Sequence, residues 1–221
     1  MKRNLRQKIF DFFMFPIRGF ALHYEDKWGM SCLATERFDF VATETKGFCL
    51  DIGCGPHNRF IREFAKDNGI GIDVYRYEGL DNNNIVEDMT QLPFDSEVFD
   101  TVTFIANINH IPESHRDAEL REALRCLKPG GIIIVTMGNP IVEILVHKVV
   151  QFSDRFFGTS FDIDTERGMK EEEAYYLTDK EILRRLDSAG FRNLKKKYFW
   201  TQWFLNHMFI GYKESHNYAK K

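Results

Sequence analysis

Short apolar runs recur through the middle of the chain, each closed by glycine, asparagine or aspartate. Residues 48–52 (FCLDI), 70–74 (IGIDV), 101–105 (TVTFI) and 132–137 (IIIVTM) are too short for helices and rich in β-branched side chains. They read as strands buried on both faces. "NNIVEDM" (83–89) holds a further strand. Between the runs the period changes. Residues 58–67 and 115–127 place apolar side chains three and four apart, which predicts helices, the first ended by Asn68-Gly69 and the second by Pro129-Gly130-Gly131. Strands alternating with helices predict a mostly parallel sheet with helices on both faces.

The two ends depart from this rhythm. Residues 141–157 form a long apolar stretch of helical period, and a polar segment follows it. Thr178 and Glu181 have the spacing of a capping box, opening a helix that Gly190 closes. Residues 191–200 and 203–212 read as edge strands. At the N-terminus, Leu5, Ile9, Phe12 and Phe13 fall at helical spacing among Lys2, Arg3, Arg6, Lys8 and Arg18. Asp11 and Pro16 interrupt the apolar stretch, so it is not a signal peptide. It is either a membrane-surface helix or a lid packed on the domain. The lid is expected, because most amphipathic helices face a core.

Composition narrows the classes. A chain of 221 residues suffices for one sizeable α/β domain. A net charge of −3 and a pI near 6.2 give no global basic field for nucleic acid. The four cysteines form no C-x-x-C pair, which predicts reduced, buried thiols, no metal site and a cytoplasmic location. No run of about 18 apolar residues occurs that would span a bilayer, so membrane contact would be peripheral, through residues 2–18.

The candidate chemistry lies in "CLDIGCGPHN" (49–58). A strand ends in a carboxylate, and two glycines follow around one small residue. Such a turn brings backbone N–H groups close to a ligand. No Gly-Lys-Ser/Thr follows, so a P-loop is excluded. The third glycine of a dinucleotide fingerprint is replaced by Asn58. The acidic residue expected some twenty positions on is present as Asp73, and its carboxylate suits a ribose diol. These features keep nucleoside recognition and weaken the pyrophosphate part.

Four segments in order, Leu50–Pro56, Gly71–Asp73, Glu87–Met89 leading into Leu92–Asp100, and Leu124–Gly131, resemble the class I S-adenosylmethionine-dependent methyltransferases of the small-molecule and ubiquinone-pathway subgroup. The match covers about residues 47–137, with a weaker part at 178–199. The resemblance implies a Rossmann-like, seven-stranded sheet, with an N-terminal helical segment (1–46) before a methyltransferase domain (47–221). Residues 138–177 would be an acceptor-lid insertion after the fifth strand. It implies S-adenosylmethionine as cofactor, S-adenosylhomocysteine as product, and a set of cofactor residues: Asp51, Gly53, Cys54 and Gly55 under the methionine part, Asp73 and Val74 at the ribose, Asp88 and Met89 at the adenine, and Ala106 and Asn107 toward the methyl end. Taken alone, Asp88 also fits a turn-capping carboxylate. A cofactor with ribose and adenine but no pyrophosphate agrees with the missing third glycine.

His110, just past residues 101–105, is the candidate general base, because a neutral imidazole accepts protons near pH 7. A structural role is the alternative. The apolar stretch 141–157, Phe161 and the Phe-rich N-terminus favour a hydrophobic or lipid-linked small acceptor. Arg155, Arg167 and Lys195–Lys197 are candidates for attracting an anionic part of it. Two rivals remain: a non-catalytic module of the same fold, and a nicotinamide oxidoreductase, which Asn58 disfavours.

Overall fold

The computed structural model describes residues 3–22, 25–138 and 177–215. Among them, six strands form one sheet in the order β2-β1-β3-β4-β6-β5: β1 (Cys49–Ile52), β2 (Gly69–Ile72), β3 (Phe99–Ile105), β4 (Leu127–Gly138), β5 (Arg192–Tyr198) and β6 (Asn206–Tyr212). The first four strands run parallel, whereas β6 is antiparallel to both β4 and β5. The fold is therefore mixed α/β, with helices on both faces. The expected helix 141–157 and lid insertion, with Arg155, Phe161 and Arg167, lie outside the described residues.

The apolar runs divide their side chains between two cores. Ile133, Val135 and Met137 of β4 join Phe209 of β6 under α4 (Glu113–Cys126) and α5 (Asp179–Ala189). Ile132 and Ile134 join Met208 and Ile210 on the other face. There α3 (Leu33–Glu44) covers the sheet, with Phe38 against Phe60 and Phe64, and Phe40 stacked on Phe199 at 4.6 Å.

Three elements differ from the sequence expectation, each for a local reason. Residues 83–89 contribute one parallel bridge, Asp73 to Ile85, instead of a strand. Asn82–Asn84 is a 3₁₀ turn capped by Asp81, and the Asn84 amide donates to Gly71 O at 2.7 Å, taking an edge carbonyl that a strand N–H would have used. The expected helix 58–67 is a 3₁₀ turn (Pro56–Asn58) and one π turn (Phe60–Phe64). Left-handed residues bound it on both sides, at His57 and Asn58 and at Lys66 and Asp67. Of the two C-terminal strands only β5 is an edge. β6 is buried from His207 to Ile210 and lies between β4 and β5, while β5 is largely exposed.

The N-terminal segment forms α1 (Leu5–Phe13) and α2 (Phe15–Ala21). Asn4 caps α1 by accepting from Gln7 N, and Pro16 sits in the first turn of α2. The pair is anchored by buried charge. Arg3 contacts Asp11 (2.7 Å), Glu36 (3.1 Å) and Asp39 (3.3 Å), Lys8 contacts Asp39 (3.0 Å), and Arg18 pairs with Glu36. Thr201 and Gln202 also donate to Glu36, so this network ties α1 and α2 to the turn between β5 and β6.

Candidate functional site

The carboxyl ends of β1, β2 and β3 converge on the glycine loop, the position at which open α/β sheets bind ligands. Gly53 and Cys54 both donate to Ile72 O, at 2.8 and 3.0 Å, which fastens the loop to β2. The two glycines serve different neighbours. A Cβ on Gly53 would lie 2.0 Å from Asn107 Nδ2, whereas a Cβ on Gly55 would meet nothing within 4 Å. Gly53 makes room for the protein, and Gly55 leaves open space where a ligand can approach. Both have positive φ (72° and 64°).

Asp73 is buried beside that space. One carboxylate oxygen accepts from Gly55 N and the other from Tyr75 N, each at 3.0 Å. Each oxygen keeps a second lone pair, enough for the two hydroxyls of a ribose. Burial raises its pKa, and the backbone N–H groups of Tyr75, Gly55 and Val74 oppose the shift. Val74 follows on the exposed side.

Asp51 lies deeper, 1% exposed. Burial pushes its carboxyl up to about 7; the hydrogen bond from Thr103 opposes this, and the charge of Asp73 adds to it. Thr103 Oγ1 donates to Asp51 Oδ1 at 2.7 Å. Burial, with Asp51 and Asp73 nearby, also holds the Cys54 thiol well above its ordinary range. Cys54 is therefore a small neutral filler and not a nucleophile. All four cysteines are buried thiols.

After β3 the chain turns sharply. Ala106 is left-handed (φ 55°), and its N–H donates to Thr136 Oγ1 of β4 at 2.9 Å. Asn107 donates through Nδ2 to Ile52 O, which leaves its buried Oδ1 without a hydrogen-bond partner in the protein. His110 N closes the turn onto Asn107 O at 2.8 Å, and the half-buried His110 ring has Asn109 Nδ2 3.4 Å from Nε2.

The other end of the site is less enclosed. Met89 is packed in the core, and Asp88 is exposed. Asp88 Oδ1 accepts from Thr90 N (2.9 Å) and Thr90 Oγ1 (2.6 Å), and these bonds hold its carboxyl below the usual range. It caps a turn here. Glu119 of α4 is buried, and its carboxyl is pushed up to about 7 by burial, with the charge of Asp88 adding.

The fold thus gathers Asp51, Gly53, Cys54, Gly55, Asp73, Ala106 and Asn107 from three strand ends, with His110 one turn beyond. Thr103, Thr136 and Glu119 were not read from the sequence. The two threonines left a trace as polar residues within mainly apolar runs of β3 and β4. Glu119 left none, because α4 is rich in charge on all sides.

Comparison with known proteins agrees with this architecture. Residues 50–135 match the model of a methyltransferase domain family. The chain carries a methyltransferase domain of the S-adenosylmethionine-dependent kind. This methyltransferase is 28% identical over 167 residues to a demethylmenaquinone methyltransferase of Staphylococcus carnosus, covering 72% of this chain and 68% of the relative. It is 26% identical over 170 residues to the enzyme of that name from Staphylococcus aureus, covering 74% and 69%. Among solved structures it shares its fold with a Thermotoga maritima protein described as a methyltransferase using the same cofactor (TM-score 0.56, 17% identity, covering 94% of this chain and 98% of that one).

The residues present fit that cofactor. Gly55 opens onto free space, Asp73 offers two acceptor oxygens, and Asn107 Oδ1 is an unpaired acceptor. Asn58 counts against a dinucleotide: it is buried, and its Oδ1 lies 2.0 Å from where a Cβ on Gly71 would sit. The side chain fills the space that a third glycine keeps clear for helix–sheet packing.

Proposed function

We propose that this methyltransferase methylates a hydrophobic, quinone-type or lipid-linked small acceptor, with the acceptor bound over the carboxyl end of β3. The observation that carries the reading is the likeness to demethylmenaquinone methyltransferases, which covers 72% of this chain and so runs well beyond the domain match at residues 50–135. The apolar composition of residues 141–157 supports it.

The cofactor supplies an electrophilic methyl on a sulfonium. In this proposal the chain binds it through Asp73 and Val74 at the ribose, the Asp51–Gly55 loop and Asn107 at the methionine end, and Asp88 with Met89 at the adenine. Bound there, the cofactor would supply that methyl to an acceptor atom lined up opposite its sulfur. Ala106 and Asn107 set the wall on that side. His110 takes the acceptor proton where the acceptor carries one, and positioning with exclusion of water supplies the rest.

The test offers purified full-length protein a reduced naphthoquinol and a set of hydrophilic amines with the cofactor, and follows S-adenosylhomocysteine. Quinol-dependent product is expected. Product formed with the amines and none with the quinol would overturn the acceptor class. His110→Ala is expected to lower kcat by about 10²–10⁴ with cofactor affinity retained. A folded variant with near-normal turnover and an unchanged pH profile would remove His110 from the mechanism.

A further inference from the structure

The first N-terminal helix is inside out. In α1 Asp11 is the buried residue, whereas Leu5 (68% exposed), Ile9 and Phe13 (71%) form a stripe at four-residue spacing that faces solvent. Ile17 of α2 is exposed as well. A helix that docks through charge and displays its apolar side has no core reason to be amphipathic.

The stripe continues onto a second element. Trp203 (45% exposed) and Phe204 (57%) lie in the turn between β5 and β6. Trp203 packs against Phe12 and Phe15, with ring centroids 6.4 and 5.5 Å away, and its indole N–H donates to Phe12 O at 2.9 Å. That turn joins the carboxyl end of β5 to the start of β6, and Asn206 pairs with Gly138 at the end of β4. The apolar surface therefore lies along the same edge of the sheet as the cofactor loop.

Charge selects the occupant. Asp11 is the one carboxylate in α1 and α2, and it is fully buried. Arg6 is exposed beside the stripe. In a chain of net charge −3 this face presents apolar side chains and a cation with no anion, a pattern complementary to anionic headgroups, with tryptophan at the polar–apolar boundary.

We propose that the outer face of α1 and α2, with Trp203 and Phe204, docks on the surface of an anionic lipid bilayer and holds the carboxyl edge of the sheet toward it. This docking stands on the surface itself and would hold whatever the acceptor. Insertion of the stripe buries apolar area, and Arg6 adds a salt-sensitive attraction.

The experiment is co-sedimentation of the full-length protein with phosphatidylcholine vesicles with and without phosphatidylglycerol, at low and high salt, and sedimentation velocity without lipid. The surface variant L5S/F13S/F204S leaves the buried charge network intact. Wild type is expected to pellet with the anionic vesicles and to release in part at high salt, the triple variant to bind at least tenfold more weakly at unchanged Tm and cofactor affinity, and Arg6→Gln to lose the anionic preference. Absence of wild-type binding overturns the proposal, as does binding that the triple variant retains. A lipid-free dimer abolished by the triple variant, without vesicle binding, would assign the face to a second copy and also overturn it.

Discussion

At the scale of single residues the glycine loop separates two requirements that look alike in sequence. Gly53→Ala must adopt a left-handed backbone and displace Asn107, so it is expected to cost more than the ~1–2 kcal/mol of a left-handed side-chain residue alone. Gly55→Ala meets open space and suffers mainly the backbone cost, with the larger loss in cofactor affinity. Thermal melts paired with cofactor titrations separate the two; equal Tm losses would contradict the assignment. Asp73→Ala should lose two charge-assisted bonds of ~1.5–3 kcal/mol each to the ribose, and unchanged affinity by calorimetry would sink that contact. Asp51 works in the reverse sense from an ion-paired carboxylate. Its folded pKa, about 7, is above the ordinary 3.8, so the folded state holds a proton that the unfolded state has released. Its contribution therefore falls as pH rises between those values, by ~1.4 kcal/mol for each pH unit. Asp51→Asn is expected to raise Tm near pH 7 and flatten that slope while weakening cofactor binding. A lower Tm at pH 7 would refute this account of the buried carboxyl.

At the scale of elements, caps and buried charge determine where helices stand. Thr178 accepts from Glu181 N at 3.2 Å and opens α5, so Thr178→Ala should cost ~1 kcal/mol. Denaturant midpoints would check it. The N-terminal network is a larger device. Arg18 is fully buried with Glu36, and it donates to Ser31 O and Asp11 O. Arg18→Met removes one partner and leaves carboxylates uncompensated in the interior, which typically costs ~3–5 kcal/mol. A variant that melts within a degree or two of wild type would show that water or Arg3 compensates.

At the scale of the whole molecule, the same network makes the N-terminal helices part of one body with α3 and the β5–β6 turn. Deleting residues 1–22 would strip Arg3, Lys8 and Arg18 from Glu36 and Asp39. The truncated chain is expected to unfold more readily, so loss of vesicle binding on truncation would report on folding, whereas the surface variants report on the face. A truncation that keeps its Tm would mean that α3 holds its acids without the cations. Among the described residues no helix is long and apolar enough to cross a membrane, so any contact through α1 and α2 lies along the surface.

The sequence by itself determined the elements whose causes are local. Runs buried on both faces specified β1 to β4, the capping box specified the start of α5, and two glycines followed twenty residues later by Asp73 marked the loop and strand end that the fold brings together. What depended on distant partners was decided by the tertiary structure. Residues 83–89 had strand composition, yet Asn84 spent its side chain on the edge of β2. Both C-terminal segments had strand pattern, but only pairing could place β6 inside and β5 at the edge. Asp51 and Thr103 meet because β1 and β3 lie side by side, and no spacing along the chain reports that. The N-terminal helix shows the limit most directly. Its apolar periodicity was visible, but periodicity is symmetric between inward and outward. The direction was set by Glu36, Asp39 and the 201–202 turn, which drew the charged side in and turned the apolar side out.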